Sequence, residues 1–236
     1  MPGENLTRVE AQERKALIDV STYDITLDLT TGDETFASTT TVTFAATEGS
    51  STFIDAITRT VRSVTLNGVE LDPATVSDGV RIQLDGLAAQ NTLTVVADAE
   101  YTNTGEGLHR FVDPVDGEVY LYSQFEVPDS RRVFAVFEQP DLKATFQFTV
   151  TAPSAWEVIS NSPTPSPEQL DAERSVWSFS PTPVISSYIT ALVAGPYAVI
   201  RDELTSSSGR VIPLGLFARK SLFEYLDADY IFEKTR

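Results

Sequence analysis

The sequence predicts an all-β chain: an antiparallel sandwich or barrel-like sheet system with a short helix at each end. Three observations carry this. Apolar and polar residues alternate with period two in segment after segment. Turn signals, chiefly Asn-Gly and Asp-Gly pairs, recur about every 8–12 residues. Helical spacing emerges only in two short stretches, near residues 7–16 and after Ser221.

The first element is a helix. Thr7-x-x-Glu10 has the spacing of a capping box, and Ala11 to Ala16 are good helix formers. From Tyr23 the pattern alternates: Tyr23, Ile25, Leu27 and Leu29 face one way, and Asp24, Thr26 and Asp28 the other. Thr31-Gly32-Asp33 turns the chain into a Thr-rich strand over Phe36–Ala45, with Val42 and Phe44 inward. Asn67-Gly68 is the strongest hairpin signal, because it supplies both positive φ angles of a type I′ turn. Asp78-Gly79 and Asp85-Gly86 bracket a strand from Val80 to Leu84. Further strands are expected from Leu93 to Tyr101, from Glu118 to Glu126 and around Phe146–Val150. Later ones fall near Trp156–Ile159, Ser175–Phe179, Ser187–Val193, Tyr197–Arg201 and Arg210–Phe217. The loop from Ser162 to Pro167 is Pro-rich and reads as a rigid surface excursion. Ser221-x-x-Glu224 has capping-box spacing, and Leu222, Phe223, Leu226, Tyr230 and Ile231 follow at helical intervals. Such an apolar helix after an all-β region reads as the start of a further domain.

Composition excludes several chemistries. A chain of 236 residues suffices for one large or two modest domains. With 42% hydrophobic and 22% charged residues it is expected to be ordered. Zero Cys excludes disulfides, thiolate metal sites and Cys nucleophiles. One His excludes any site built on two imidazoles, and Ser-His-Asp chemistry survives only with His109 as its base. A net charge of −17 repels nucleic acid and anionic membrane surfaces. No apolar run approaches the roughly 20 residues of a membrane span. Met1-Pro2-Gly3-Glu4-Asn5 lacks the basic and apolar regions of a signal peptide, and a cytoplasmic location is expected.

The informative stretch runs from Thr104 to Phe146. It holds Gly107-Leu108-His109-Arg110, then Ser123-Gln124-Phe125-Glu126. Arg131-Arg132-Val133-Phe134 and Phe137-Glu138-Gln139-Pro140 follow, and Lys143-Ala144-Thr145-Phe146 closes it. This series resembles the amino-terminal domain of the zinc aminopeptidases of the aminopeptidase N (M1) family. There the run reads approximately T-Q-F-E, A-R-R-x-F-P-C-F-D-E-P and K-A-T-F. Trp156 with Ser160-Asn161-Ser162-Pro163, and Thr182-Pro183-Val184-Ile185-Ser186-Ser187-Tyr188, are similar to two further motifs of that family. The run from Ala135 to Gln139 and Ser130 depart from its commoner residues.

On a strand, residues i and i+2 share a face, so Gln124 and Glu126 are expected side by side. A free α-ammonium needs fixed acceptors, a carboxylate for charge and an amide oxygen for direction. The resemblance implies that Glu126 binds the substrate amine and Gln124 assists, at the edge of a catalytic cleft. Two solvated polar residues are the plain alternative. His109 reads as a packing residue. Arg131 or Arg132 is expected to pair with Glu138 or Asp141. Ser130 has no evident base beside it, and Glu106 and Asp113 read as loop carboxylates.

The resemblance also implies a zinc ion held by H-E-x-x-H with a distant Glu, and a G-x-M-E-N loop. With one His and one Met, at position 1, neither motif can lie in this chain. The expectation is therefore a saddle-shaped, multi-stranded antiparallel β-domain over residues 1–218, with 219–236 opening a metal-bearing domain that is absent. It lends one wall to the cleft of a zinc aminopeptidase acting on peptide N-termini. By itself it is expected to hold no zinc and cleave no aminoacyl substrate. The alternative is a non-catalytic binding or scaffold module of a peptidase-related protein.

Overall fold

The structure is a computed structural model that describes residues 5–236; Met1–Glu4, read above for a leader, lie outside the described residues. Helix α1 (Arg8–Leu17) is followed by β1 (Ile18–Asp28), β2 (Thr35–Ala46), β3 (Thr52–Asp55), β4 (Thr60–Leu66) and β5 (Val69–Leu71). A single turn, α2 (Pro73–Val76), leads to β6 (Arg81–Leu84), β7 (Gln90–Glu100), β8 (Gly107–Val112) and β9 (Val119–Gln124). The second half holds β10 (Thr145–Pro153), β11 (Glu157–Ser160), β12 (Glu168–Gln169), β13 (Arg174–Ser178) and β14 (Leu192–Gly195). The hairpin β15 (Ala198–Thr205) and β16 (Val211–Ala218) and the helix α3 (Ala228–Thr235) complete the described chain.

An eight-stranded sheet has the order β12-β13-β10-β1-β2-β7-β4-β5. A four-stranded sheet, β11-β14-β9-β8, and the pair β3-β6 contribute to the same hydrophobic core. The sheets are antiparallel with one exception: β1 and β10 run parallel, from Thr22 opposite Thr145 to Asp28 opposite Thr151. More than a hundred residues separate these strands in sequence, which supplies the long crossover a parallel pair requires.

The expected alternation is present where the core demands it. Tyr23, Ile25, Leu27 and Leu29 are buried, and Asp24 and Thr26 are exposed. A register shift between Val20 and Thr22 lets Val20 and Tyr23 both face inward despite their odd spacing. Asn67 (φ 53°) and Gly68 (φ 81°) close the hairpin β4-β5 in left-handed backbone, as a type I′ turn needs. At α1, Glu10 N–H donates to Thr7 Oγ1 at 3.3 Å and Thr7 N–H donates to Glu10 Oε2 at 2.8 Å. Both bonds of the capping box form.

Three expectations fail locally. Ser187–Ile189 is a 3-10 turn rather than the start of a strand, and pairing begins only at Leu192. Thr190 Oγ1 donates to Ser187 O at 2.7 Å and closes the turn locally, while Ser186 Oγ donates to the distant Pro140 O at 2.6 Å, and these bonds compete with ladder formation. The Ser221 capping box does not form. Lys220–Tyr225 is a 3-10 helix, Ser221 Oγ donates instead to Asp113, and the α-helix begins later, capped by Asp227. The strands β3, β8 and β12 carry no clean alternation and were not expected.

Across the inner face of the large sheet runs an irregular stretch, Val133–Phe137, all of it buried. Inward-facing hydroxyls of the strands serve its backbone. Ser38 Oγ donates to Val133 O (2.8 Å), Thr40 Oγ1 accepts from Ala135 N (3.2 Å) and Tyr23 OH accepts from Phe137 N (3.1 Å). Asp55 and Val136 exchange two backbone bonds. A buried segment outside any ladder has to find such partners.

Candidate functional site at the end of strand β9

The hairpin β8-β9 carries the site. Its pairing sets Gly107 opposite Gln124 and His109 opposite Tyr122. Gly107 sits at φ 61°, and a Cβ there would stand 3.0 Å from Arg132 Cβ. The close approach of Arg132 beneath the end of the strand therefore requires glycine.

Strand β9 ends at Gln124, and Glu126 lies two residues beyond, in the turn that leads through the cis peptide Val127-Pro128. The expectation that both residues stand on a strand is thus corrected. The ladder stops because Gln124 Oε1 accepts the Glu126 N–H at 2.5 Å, taking the place of a strand partner. The outcome for display is nonetheless similar: Gln124 and Glu126 are both exposed, with buried Phe125 between them. Phe125 meets Phe134 edge-on at 5.9 Å between ring centroids, and Phe134 meets Phe146 and Phe148 in the same manner. The turn is therefore anchored through its middle residue into the core.

Among the described residues the Glu126 carboxylate has no hydrogen-bond or ion-pair partner. Gln124 has one oxygen lone pair engaged by Glu126 N and retains a second lone pair and its two amide hydrogens. The pair can accept from a cation through one full charge and one dipole.

Behind the turn the chain is held rigidly. Ser130–Arg132 forms a 3-10 turn, and Arg132 Nε donates to Asp129 Oδ1 at 2.8 Å while its Nη2 lies 3.7 Å from Glu106. The pairing expected of Arg132 with Glu138 or Asp141 is therefore replaced by Asp129 and Glu106. Arg131 does meet Glu138, through its backbone: Arg131 N–H donates to Glu138 Oε2 at 2.9 Å. Ser130 Oγ donates to the same oxygen and Ser187 Oγ to Oε1. Burial is the main influence on Glu138 and pushes its carboxyl above the usual range. Ser130 is thus committed to a structural acceptor.

Further in, Glu138 N–H donates to Asp55 Oδ2 at 3.0 Å, and the same oxygen takes Arg14 Nη1 at 2.8 Å. Arg14 Nε donates to Gln139 Oε1 and Gln139 Nε2 to Ala11 O, so helix α1 is tied to the segment around Gln139 by polar bonds. Sequence reasoning saw Arg14 only as a helix former, whereas it is 2% exposed. Its buried partner Asp55 lies in β3, a strand the pattern did not disclose. His109 stacks on Tyr122 at 4.6 Å, and its Nδ1 accepts from Gly105 N–H at 3.0 Å, in keeping with a packing role.

Residues 20–189 match the family described as Peptidase M1 N-terminal domain. The chain belongs to that family. Aminopeptidase N of Streptomyces lividans is 59% identical over all of this chain, which spans 27% of that relative. Aminopeptidase N of Acetobacter pasteurianus is 31% identical over 68% of the chain and 50% of the relative. A crystal structure of Legionella pneumophila aminopeptidase A in complex with aspartic acid superposes on 89% of the chain and 25% of its own, with a TM-score of 0.78 at 19% identity, which is a likeness of fold. This M1 N-terminal domain thus spans about a quarter to a half of the length of these relatives.

The donor set does not fit a zinc ion. Among the described residues no group of three His, Cys, Asp or Glu is placed to hold a metal, and the one imidazole has its Nδ1 occupied by Gly105. No helix among the described residues is long and apolar enough to cross a membrane.

Proposed function

We propose that this chain is the front part of a zinc-dependent aminopeptidase and that it recognises the substrate's free α-amine. Glu126 supplies the counter-charge and Gln124 directs it, and the turn that carries them forms one wall of the active-site cleft. The observation that carries this reading is an exposed carboxylate without a partner among the described residues, on a turn anchored by Phe125 into the core. A full ammonium charge meeting a fixed carboxylate forms a charge-assisted bond, which discriminates peptide N-termini from internal peptide bonds. The family membership and the names of the relatives support the reaction class. In this reading the metal and the water-activating carboxylate lie in chain beyond these residues, residues 1–218 form the β-domain, 219–236 open the metal-bearing part, and the protein works in the cytoplasm.

The test is hydrolysis of an aminoacyl-anilide by the full-length protein. Glu126→Gln, which keeps the shape and removes the charge, is expected to lower kcat/KM about a hundredfold, the ~3 kcal/mol of a lost charge pair. Near-normal kcat/KM would refute the assigned role. The 236-residue chain by itself is expected to turn over no such substrate and to retain no stoichiometric zinc on metal analysis; either result in the positive would contradict the division of labour.

A further inference from the structure

The loop Asp113–Glu118, at the opposite end of β9 from Gln124, grips the segment that follows the last hairpin. Asp113 is fully buried, although the sequence reads it as a loop carboxylate. Its Oδ1 accepts Val115 N–H at 2.9 Å, and its Oδ2 accepts Arg219 Nη1 at 2.8 Å and Ser221 Oγ at 2.5 Å. These bonds, led by that from Ser221, hold its carboxyl below the usual range, so it is an anion at neutral pH. The Arg219 guanidinium also lies 4.6 Å above the Phe111 ring. Between them, Lys220 N–H donates to Tyr120 OH at 3.0 Å, and Tyr120 OH donates to Asp116 Oδ2 at 2.9 Å.

Three successive residues, 219 to 221, are therefore pinned to one loop. A cavity of about 470 Å³, lined by Phe111, Tyr122, Tyr197, Phe217 and Leu222 among others, lies between the hairpin β8-β9 and the C-terminal segment. The polar clamp ties the two together across that gap, beside the Tyr120–Tyr197 ring contact and the Tyr197 OH bond to Leu121 O. From the clamp, β9 runs for about 20 Å to the amine-binding turn, paired to β8 along its whole length and to β14 at Leu121 and Tyr122.

We propose that Asp113 is a positioning residue, whose clamp on Arg219 and Ser221 fixes where Gln124 and Glu126 stand relative to the chain that follows Ala218. The inference rests on the assignment of amine recognition to Glu126. A strand held at its start by a charged three-residue clamp and ending in the recognition turn acts as a rigid arm. Loosening the clamp frees the chain after Ala218 to shift relative to the sheet that holds the turn, which displaces the carboxylate from the substrate amine.

The experiment uses the full-length protein and steady-state kinetics with an aminoacyl-anilide. Asp113→Asn is expected to raise KM about tenfold with kcat within about twofold, and Ser221→Ala, which leaves the Arg219 pair in place, about threefold. In the Glu126→Ala background both substitutions are expected to change kcat/KM by less than about twofold, because the group they position is gone. Equal losses in the two backgrounds, or an unchanged KM for Asp113→Asn in the parent, would overturn the proposal. If Asp113→Asn folds poorly, Ser221→Ala carries the same comparison. A Glu126→Ala variant with undiminished activity overturns the amine assignment, and this inference with it, and that failure is read from the single variant alone.

Discussion

Glu126 and Glu138, twelve residues apart, receive opposite treatment from the same stretch of chain. Glu138 is 4% exposed and takes hydrogen bonds from Ser130, Ser187 and the Arg131 amide. Glu126 stands in solvent without a partner among the described residues. The buried carboxylate is satisfied from within, so its role is to hold the 130–140 segment to the core. The exposed one gains nothing from the fold and is free to receive a charge from outside. Phe125 and Phe134 join the two regions, which makes the recognition turn only as rigid as the segment behind it.

That contrast can be broken by measuring unfolding of this chain, where the effects should fall in a definite order. Phe134→Ala removes the ring that contacts Phe125, Phe146 and Phe148, and should cost about 3–5 kcal/mol in denaturant unfolding. Glu138→Ala leaves the buried Ser130 and Ser187 hydroxyls and the Arg131 amide without their acceptor, for an expected loss of about 2–4 kcal/mol.

The pH dependence sharpens the point. Because burial raises the Glu138 carboxyl, the folded state holds this proton more tightly than the unfolded state. The contribution of this group to stability therefore falls as pH rises above its unfolded value of 4.5 towards its folded one, and Glu138→Gln should flatten that slope. Glu10 has the reverse sign. Arg81 first, then the Thr7 amide, hold it down to about 2 from 4.5, so its contribution is complete above pH 4.5 and is lost as pH falls through 2. Thr7→Ala, which opens the capping box, should cost about 1 kcal/mol. Glu126→Ala should be the smallest of the series, within about 0.5 kcal/mol of the parent. A large loss there would make Glu126 a structural residue and erase the distinction from Glu138.

Much of this architecture is legible in the residues. Tyr23 to Leu29, the Asn67-Gly68 turn and the Thr7 cap are local: period, backbone preference and a three-residue reach decide them. The Q-x-E site could be located through its motif, and its outward display follows from one buried neighbour. What stayed hidden depends on distant chain. Period two from Val42 and Phe44 puts Ser38 and Thr40 on the inward face, but not what their hydroxyls do there, which is to serve the backbone of Val133–Phe137, nearly a hundred residues away. Arg14 is buried because Asp55 meets it from a four-residue strand with no alternation of its own. Ser221 fits a capping box by spacing, but Asp113 accepts its hydroxyl and moves the helix start to Asp227. The same segment keeps Tyr225 75% exposed, where periodicity alone suggested a packed helix.

The central claim is that Glu126 reads the amine of the substrate and does not merely support the fold. The most direct measurement compares two competitive inhibitors of the full-length protein that differ only in the α-amine, one bearing it and one with hydrogen in its place. Glu126→Ala is expected to weaken the amine-bearing inhibitor about a hundredfold and to leave the deaminated one within about twofold. Equal weakening of both, or of neither, would contradict it.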